Sequence, residues 1–249
     1  MHEPLAKALA ARGNRAVAID VLGHGRSDRP TESWRYSVPI FAEQVVGLLD
    51  HLELDEAVIL GTSLGANTTL EVCRLAPERV RAMVVEMSVL DHALIASVVA
   101  FTPLVLALTF GEPLGRLAAA AARAVPEGAL PFWGNVLLDT VRQEPKPSSA
   151  VMQGLFSGRV APNAPQRRGL EAPTLVIGHR RDPIHPLSDA GMLVDELRNA
   201  RLVEASSILE LRISPQPLTA EIGDFLDGCW KPKRRSTPRA RAAGATAPA

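Results

Sequence analysis

Residues Gly61-Thr62-Ser63-Leu64-Gly65 set a serine in the pattern G-x-S-x-G, between the apolar run Glu56-Ala57-Val58-Ile59-Leu60 and a helix-compatible stretch from Ala66 to Ala76. Strand, sharp turn and helix in that order hold such a serine in strained backbone geometry, with glycines where neighbours crowd it. The turn lifts the Ser63 hydroxyl above the sheet edge and points the N–H of Leu64 into the same space. That pairing suits acyl transfer: the hydroxyl attacks a carbonyl carbon and the amide holds the oxyanion. A serine hydroxyl is a poor nucleophile at neutral pH without a base. The chain has six histidines, and none follows His185.

The elements that must carry this turn can be read from the apolar pattern. Pro4 to Arg12 reads as a short helix stopped at Gly13, and Ala16-Val17-Ala18-Ile19-Asp20 as a buried strand. A glycine-punctuated loop, Gly23 to Asp28, comes next. Val38 to Leu52 carries Ile40, Phe41, Val45, Leu48, Leu49 and Leu52 at helical spacing. After the elbow strand and its helix, strands are predicted over Val80–Met87, Pro173–Gly178 and Arg201–Ala205. Helices are predicted near Ser188–Leu197 and over Leu218–Leu226. Strands alternating with helices give an α/β class with a mostly parallel sheet flanked by helices. Between Ser88 and Ala172 the pattern changes to Ala/Leu-rich helices broken by prolines such as Pro103, Pro113 and Pro126. That block reads as a helical cap inserted between two strands. The expected organisation is a core of residues 1–87 and 173–228, a cap of residues 88–172 and a basic tail of residues 229–249.

The chain's 249 residues, 47% of them apolar, suffice for one α/β domain with an insertion. Six cationic residues and no acid follow Trp230; with 27 of each charge overall, the rest of the chain is net −6. An acidic body leaves no footprint for nucleic acid, and the tail has no aromatic residue among its charges, so it reads as a solvated, disordered end. Cys73 and Cys229 show neither metal spacing nor a disulfide framework. Residues 1–20 lack a basic start followed by an apolar core. Ala93 to Gly111 is free of charge, but it carries Pro103, Ser97 and two threonines and barely reaches spanning length. It reads as a buried or lid helix pair and not as a membrane span. The expectations are a reduced, cytoplasmic protein acting on a small molecule, with no cofactor and no metal.

Three stretches taken together resemble the α/β-hydrolase superfamily, in particular its esterase and peroxidase-like branch. They are Ala18-Ile19-Asp20-Val21-Leu22-Gly23-His24-Gly25-Arg26-Ser27-Asp28, the Gly61–Gly65 elbow, and Leu175-Val176-Ile177-Gly178 leading to Asp182-Pro183-Ile184. The resemblance covers roughly residues 4–228 and implies the α/β-hydrolase fold with a triad running Ser, acid, His along the chain. Ser63 then matches the nucleophile. Asp182 matches the acid, in the loop past a central strand's carboxyl end; the other reading of Asp182 is a turn residue before Pro183.

Two departures accompany the resemblance. In the family the histidine falls in the loop after the last strand, where this chain has Ser206-Ser207-Ile208-Leu209-Glu210, with Ile208 near the expected position. His185, three residues past Asp182, is the candidate base in its place. It can also be read as a polar loop residue between Ile184 and Pro186. His179 reads as a structural hydrogen-bonder, His24 as a turn residue and His92 as a cap residue. Glu204 and Glu210 flank the vacant position, but a carboxylate is a weaker base than imidazole at pH 7. The family also opens with strands ending in a His-Gly turn that supplies a second oxyanion donor. These first strands are missing here, which leads to the expectation that Met1 is an internal methionine of a longer reading frame. The two functions weighed are a serine hydrolase acting on a small, rather apolar ester or related acyl compound, and a catalytically degenerate member that binds a ligand or partner without turnover.

Overall fold

Four apolar runs pair in parallel and in chain order: β1 (Ala57–Thr62), β2 (Val80–Glu86), β3 (Thr174–His179) and β4 (Ala200–Ala205). The computed structural model describes residues 3–126 and 128–230. Parallel strands need crossover connections, and these supply the covering layers. Helices α2 (Val38–His51), α3 (Leu64–Leu75) and α9 (Leu187–Glu196) pack on one face; α1 (Glu3–Ala11) and α11 (Gln216–Trp230) pack on the other. Alternate residues of the central strands serve the two faces. Met83, Val85 and Val176 enter the first cluster, while Val84, Leu175 and Ile177 enter the second. Strands covered on both sides can be apolar throughout, which is why β2 and β3 read as continuous runs.

The register sets Thr62 opposite Glu86, and Glu86 opposite Ile177. The carboxyl ends of β1, β2 and β3 therefore meet at one edge. Between β2 and β3 lie α4 (Ala93–Phe110), α5 (Glu112–Arg123), α6 (Phe132–Val141), α7 (Pro145–Ser157) and α8 (Ala164–Arg168). A short α10 (Glu210–Ile213) precedes α11. Helix α7 lies against the 3-10 turn Ser33–Arg35, so closely that a side chain at Gly154 would overlap the backbone of Ser33 and Tyr36.

Three sequence expectations are corrected. Ala16–Asp20 is not a buried strand: it is irregular and exposed, with Val17 51% accessible. Strand propensity needs a neighbour to complete the ladder, and among the described residues β1 pairs only with β2. The end of this stretch is held by loop bonds instead. The Asp20 carboxylate accepts from Arg26 N (3.0 Å), and Ser27 Oγ donates to Asp20 O (2.5 Å). Second, Ala93–Gly111 is neither buried nor a pair. It forms the single helix α4 with Pro103 inside, and Ile95 and Phe110 are both 79% exposed. Helices α5 and α7 pack against it and leave much of its apolar surface open. Helix α4 is long and apolar enough to cross a membrane, the one such helix among the described residues, and a single helix of this kind is weak evidence for a span. Third, Cys229 and Trp230, expected in the tail, belong to α11. There Arg81 donates to Cys229 O (2.8 Å) and stacks over the Trp230 ring at 4.6 Å. The remainder of the expected tail lies outside the described residues.

Candidate active site

The elbow forms as its residue types require. Ser63 sits at φ 54°, ψ −114°, a left-handed conformation costly for a side-chain-bearing residue. Surrounding structure enforces it. The Ser63 N–H donates to Glu86 O at 2.8 Å, and Asn67 N–H donates to Ser63 O at 3.1 Å. A side chain at Gly61 would overlap the backbone of Gly65 and Ala66, so position 61 must be glycine. Gly65 differs: a Cβ there meets nothing within 4 Å, so crowding does not account for it. Leu64 opens α3, where the first N–H groups lack intrahelical partners and the helix dipole favours negative charge.

Beneath the elbow, Thr62 Oγ1 donates to Glu86 Oε2 at 2.6 Å. Glu86 Oε1 accepts from Arg212 Nη1 at 3.0 Å and lies 3.2 Å from His179 Nε2. Burial alone would raise the Glu86 carboxyl, but His179, Arg212 and Thr62 outweigh it and hold the group below the usual carboxylate range. His179 Nδ1 donates to Ser207 O at 3.0 Å. The sequence reading of His179 as a structural hydrogen-bonder agrees with this placement.

Asp182 and His185 close on each other within one turn. Asp182 Oδ1 accepts the N–H groups of Ile184 (2.8 Å) and His185 (2.9 Å), while Oδ2 accepts from His185 Nδ1 at 2.9 Å. Pro183 and Pro186 fix φ on either side and pre-set the loop. With Nδ1 donating to a carboxylate, Nε2 carries the lone pair, and it lies 3.0 Å from Ser63 Oγ. The pair is largely enclosed, the His185 and Asp182 side chains being 13% and 5% exposed. Burial pushes the Asp182 carboxyl up, but the His185 and Ile184 amides and the imidazole outweigh it and hold it below its usual range. The arrangement can move a proton from the serine to the imidazole while the carboxylate holds the tautomer.

The remaining candidates lie elsewhere. His24 Nδ1 lies 3.0 Å from Leu22 O, and its ring meets Phe41 edge-on. His92 Nδ1 lies 2.8 Å from Asp189 Oδ1. Glu204 binds Arg180, and Glu210 accepts from Ser206 N and Oγ. Among the buried polar residues that escaped the sequence reading are Asn67 and Asp189, each 1% exposed. Asparagine inside a helix competes poorly with better formers, and that was the only signal available. Among the described residues no group of three or more His, Cys, Asp and Glu is placed to hold a metal.

A family profile described as alpha/beta hydrolase fold matches residues 1–207. The chain belongs to the α/β-hydrolase family. Among curated relatives of this α/β-hydrolase, a 2-hydroxymuconate semialdehyde hydrolase from Pseudomonas sp. (strain CF600) is 38% identical over 74 residues, 30% of this chain and 26% of the relative. Bifunctional epoxide hydrolase 2 from Sus scrofa is 37% identical over 76 residues, 30% of this chain and 14% of the relative. The matches thus span about a quarter of those relatives' lengths or less. A solved meta-cleavage product hydrolase from Pseudomonas fluorescens IP01 superposes with TM-score 0.67 at 21% identity, covering 90% of this chain and 84% of that one. The enol-lactonase from Burkholderia xenovorans LB400 gives 0.62 at 20% identity, over 82% and 78%. At these identities the solved structures show the fold. The named relatives are hydrolases, and the α/β-hydrolase fold expected from the three motifs is the fold observed.

Proposed function

We propose that this α/β-hydrolase is a serine hydrolase of a small, rather apolar ester or related acyl compound, with Ser63 as nucleophile, His185 as base and Asp182 as its orienting acid. The observation that carries the reading is the unbroken line from Asp182 Oδ2 through His185 Nδ1 and Nε2 to Ser63 Oγ, at 2.9 and 3.0 Å. In this reading Ser63 Oγ bonds to the acyl carbon as its proton passes to His185 Nε2, and the Leu64 N–H receives the oxyanion. His185 then protonates the departing alkoxide, the acyl–oxygen bond breaks, and water, deprotonated by the same nitrogen, releases the acid.

Chemistry favours an acyl substrate over an epoxide. Serine opening an epoxide would leave an ether that water does not cleave, whereas an acyl-serine is an ester. The apolar preference has support beside the nucleophile: Leu64 packs with Val21, Leu22 and Leu155 against Tyr36, Phe41, Ala150 and Val151. Helices α4–α8, the proposed cap over residues 88–172, are themselves rich in Ala and Leu. Both cysteines are free, which suits the proposed cytoplasmic setting. Hydrolysis of p-nitrophenyl esters from acetate to octanoate tests the reading. Turnover by the wild-type chain that falls about 10⁴-fold in His185→Ala is expected; full ester turnover by that variant removes His185 as the base.

A further inference from the structure

We propose that Asn67 and Asp189 are positioning residues that set the Ser63–His185 distance through the chain segment 89–93; this rests on the reading of those two as nucleophile and base. Asn67 lies one turn after Ser63 on α3, and its own N–H holds the Ser63 carbonyl. Its side chain reads Val89 as a strand neighbour would: Nδ2 donates to Val89 O (2.9 Å) and Oδ1 accepts from Val89 N (3.0 Å). Nδ2 also donates to Val160 O at 2.9 Å, in the link between α7 and α8. Asp189 lies four residues past His185, in the first turn of α9, with its N–H on Pro186 O. Its Oδ2 accepts from Leu90 N and Ala93 N, and its Oδ1 accepts from His92 N, each at 3.0 Å; Oδ1 also accepts from His92 Nδ1.

The residue types match what the segment needs. A side-chain amide carries a donor and an acceptor side by side and so answers a backbone N–H and C=O together, and a carboxylate suits the unpaired amides at the start of α4. Both residues are 1% exposed, so the polar atoms that Asn67 and Asp189 bring to these bonds are shielded from water. The result is a spacer. Helix α3, with Ser63 at its start, and helix α9, with His185 just before it, are tied to the same five residues, α3 at Val89 and α9 at Leu90, His92 and Ala93. Removing either tie frees one catalytic group relative to the other.

The test measures the second-order rate of fluorophosphonate labelling for full-length wild type, Asn67→Ala, Asp189→Ala and the double variant. A misplacement near 1 Å costs about 10²-fold in rate, so each single variant is expected to lose about that much. The double variant is expected to lose no more than the worse single, because one broken tie already disables the spacer. Ile222→Ala, in the cluster on the opposite face of the sheet, is expected to lower the melting temperature yet label at the wild-type rate. Folded single variants labelling at the wild-type rate would overturn the proposal, as would losses that multiply in the double variant. If the alanine variants do not fold, Asp189→Asn keeps one acceptor oxygen and is expected to show a smaller loss; an unchanged rate sinks the idea. A second readout needs no turnover. The His185 ring nitrogen shifts in Asn67→Ala are expected to move toward those of Ser63→Ala, and unchanged shifts count against the spacer. Wild-type protein that takes no label refutes the hydrolase reading, while the nitrogen shifts still decide this one.

Discussion

Replacing Asp182 with asparagine keeps the shape of the side chain and removes its charge. The oxygen at the Oδ1 position still accepts from the amides of Ile184 and His185, so the loop keeps two of its three bonds. At the Oδ2 position an NH₂ group now faces His185 Nδ1 across 2.9 Å. Two donors cannot share a bond, so Nδ1 must give up its proton and accept. The proton moves to Nε2, which then points a donor at Ser63 Oγ and has no lone pair to receive the serine proton. Enzymes with this arrangement lose about 10⁴ in kcat from such a change, which corresponds to about 5.4 kcal/mol of transition-state stabilisation. The stability cost is much smaller, about 1.5–3 kcal/mol for one charge-assisted bond, or a few degrees per kcal/mol in Tm at this chain length. Assays of p-nitrophenyl ester hydrolysis, paired with thermal melts, separate the two effects. Asp182→Asn retaining activity within about tenfold of wild type while folded would refute the tautomer argument.

Gly61→Ala forces a methyl group into the Gly65 backbone and is expected to cost about 1–3 kcal/mol or more in urea unfolding. Gly65→Ala, facing open space within α3, is expected to gain up to about 1 kcal/mol; equal responses would contradict the elbow geometry. Burial pushes the Cys73 thiol up to about 11, with a partial offset from a hydrogen bond to the Ala172 backbone. Maleimide at pH 8 is therefore expected to label half-buried Cys229 first and Cys73 only on unfolding, as read by peptide mass. Asp182 and Glu86 both hold folded-state values below the usual carboxylate range. The unfolded chain takes up their protons first as pH falls, so their stabilisation is complete above that range and is lost as pH drops through the lowered folded values. The urea midpoint is expected to fall below about pH 4, and less steeply in Asp182→Asn.

Local features carried most of what could be read from the sequence. The Ser63 elbow is a strand–turn–helix motif within a dozen residues, and Asp182 and His185 are three apart with one proline between them and one after, so short-range rules reached them. His185, the proposed base, was legible because its partner Asp182 is its near neighbour. Ala16–Asp20 was misread because a strand exists only with a neighbouring strand, which five residues cannot reveal. The exposure of α4 was invisible because an all-apolar helix predicts burial, while the covering partner is a matter of tertiary packing. Asn67 bonds across 22 and 93 residues of sequence and Asp189 across 96–99, and no spacing encodes such pairings.

The most direct test of the account is site-mapped fluorophosphonate labelling of the full-length chain, followed by peptide mass analysis across a pH series. Covalent modification at Ser63, absent in Ser63→Ala and strongly slowed in His185→Ala, is the predicted result. Folded wild-type protein that takes no label at Ser63 would contradict it and leave a ligand-binding role for a catalytically degenerate α/β-hydrolase.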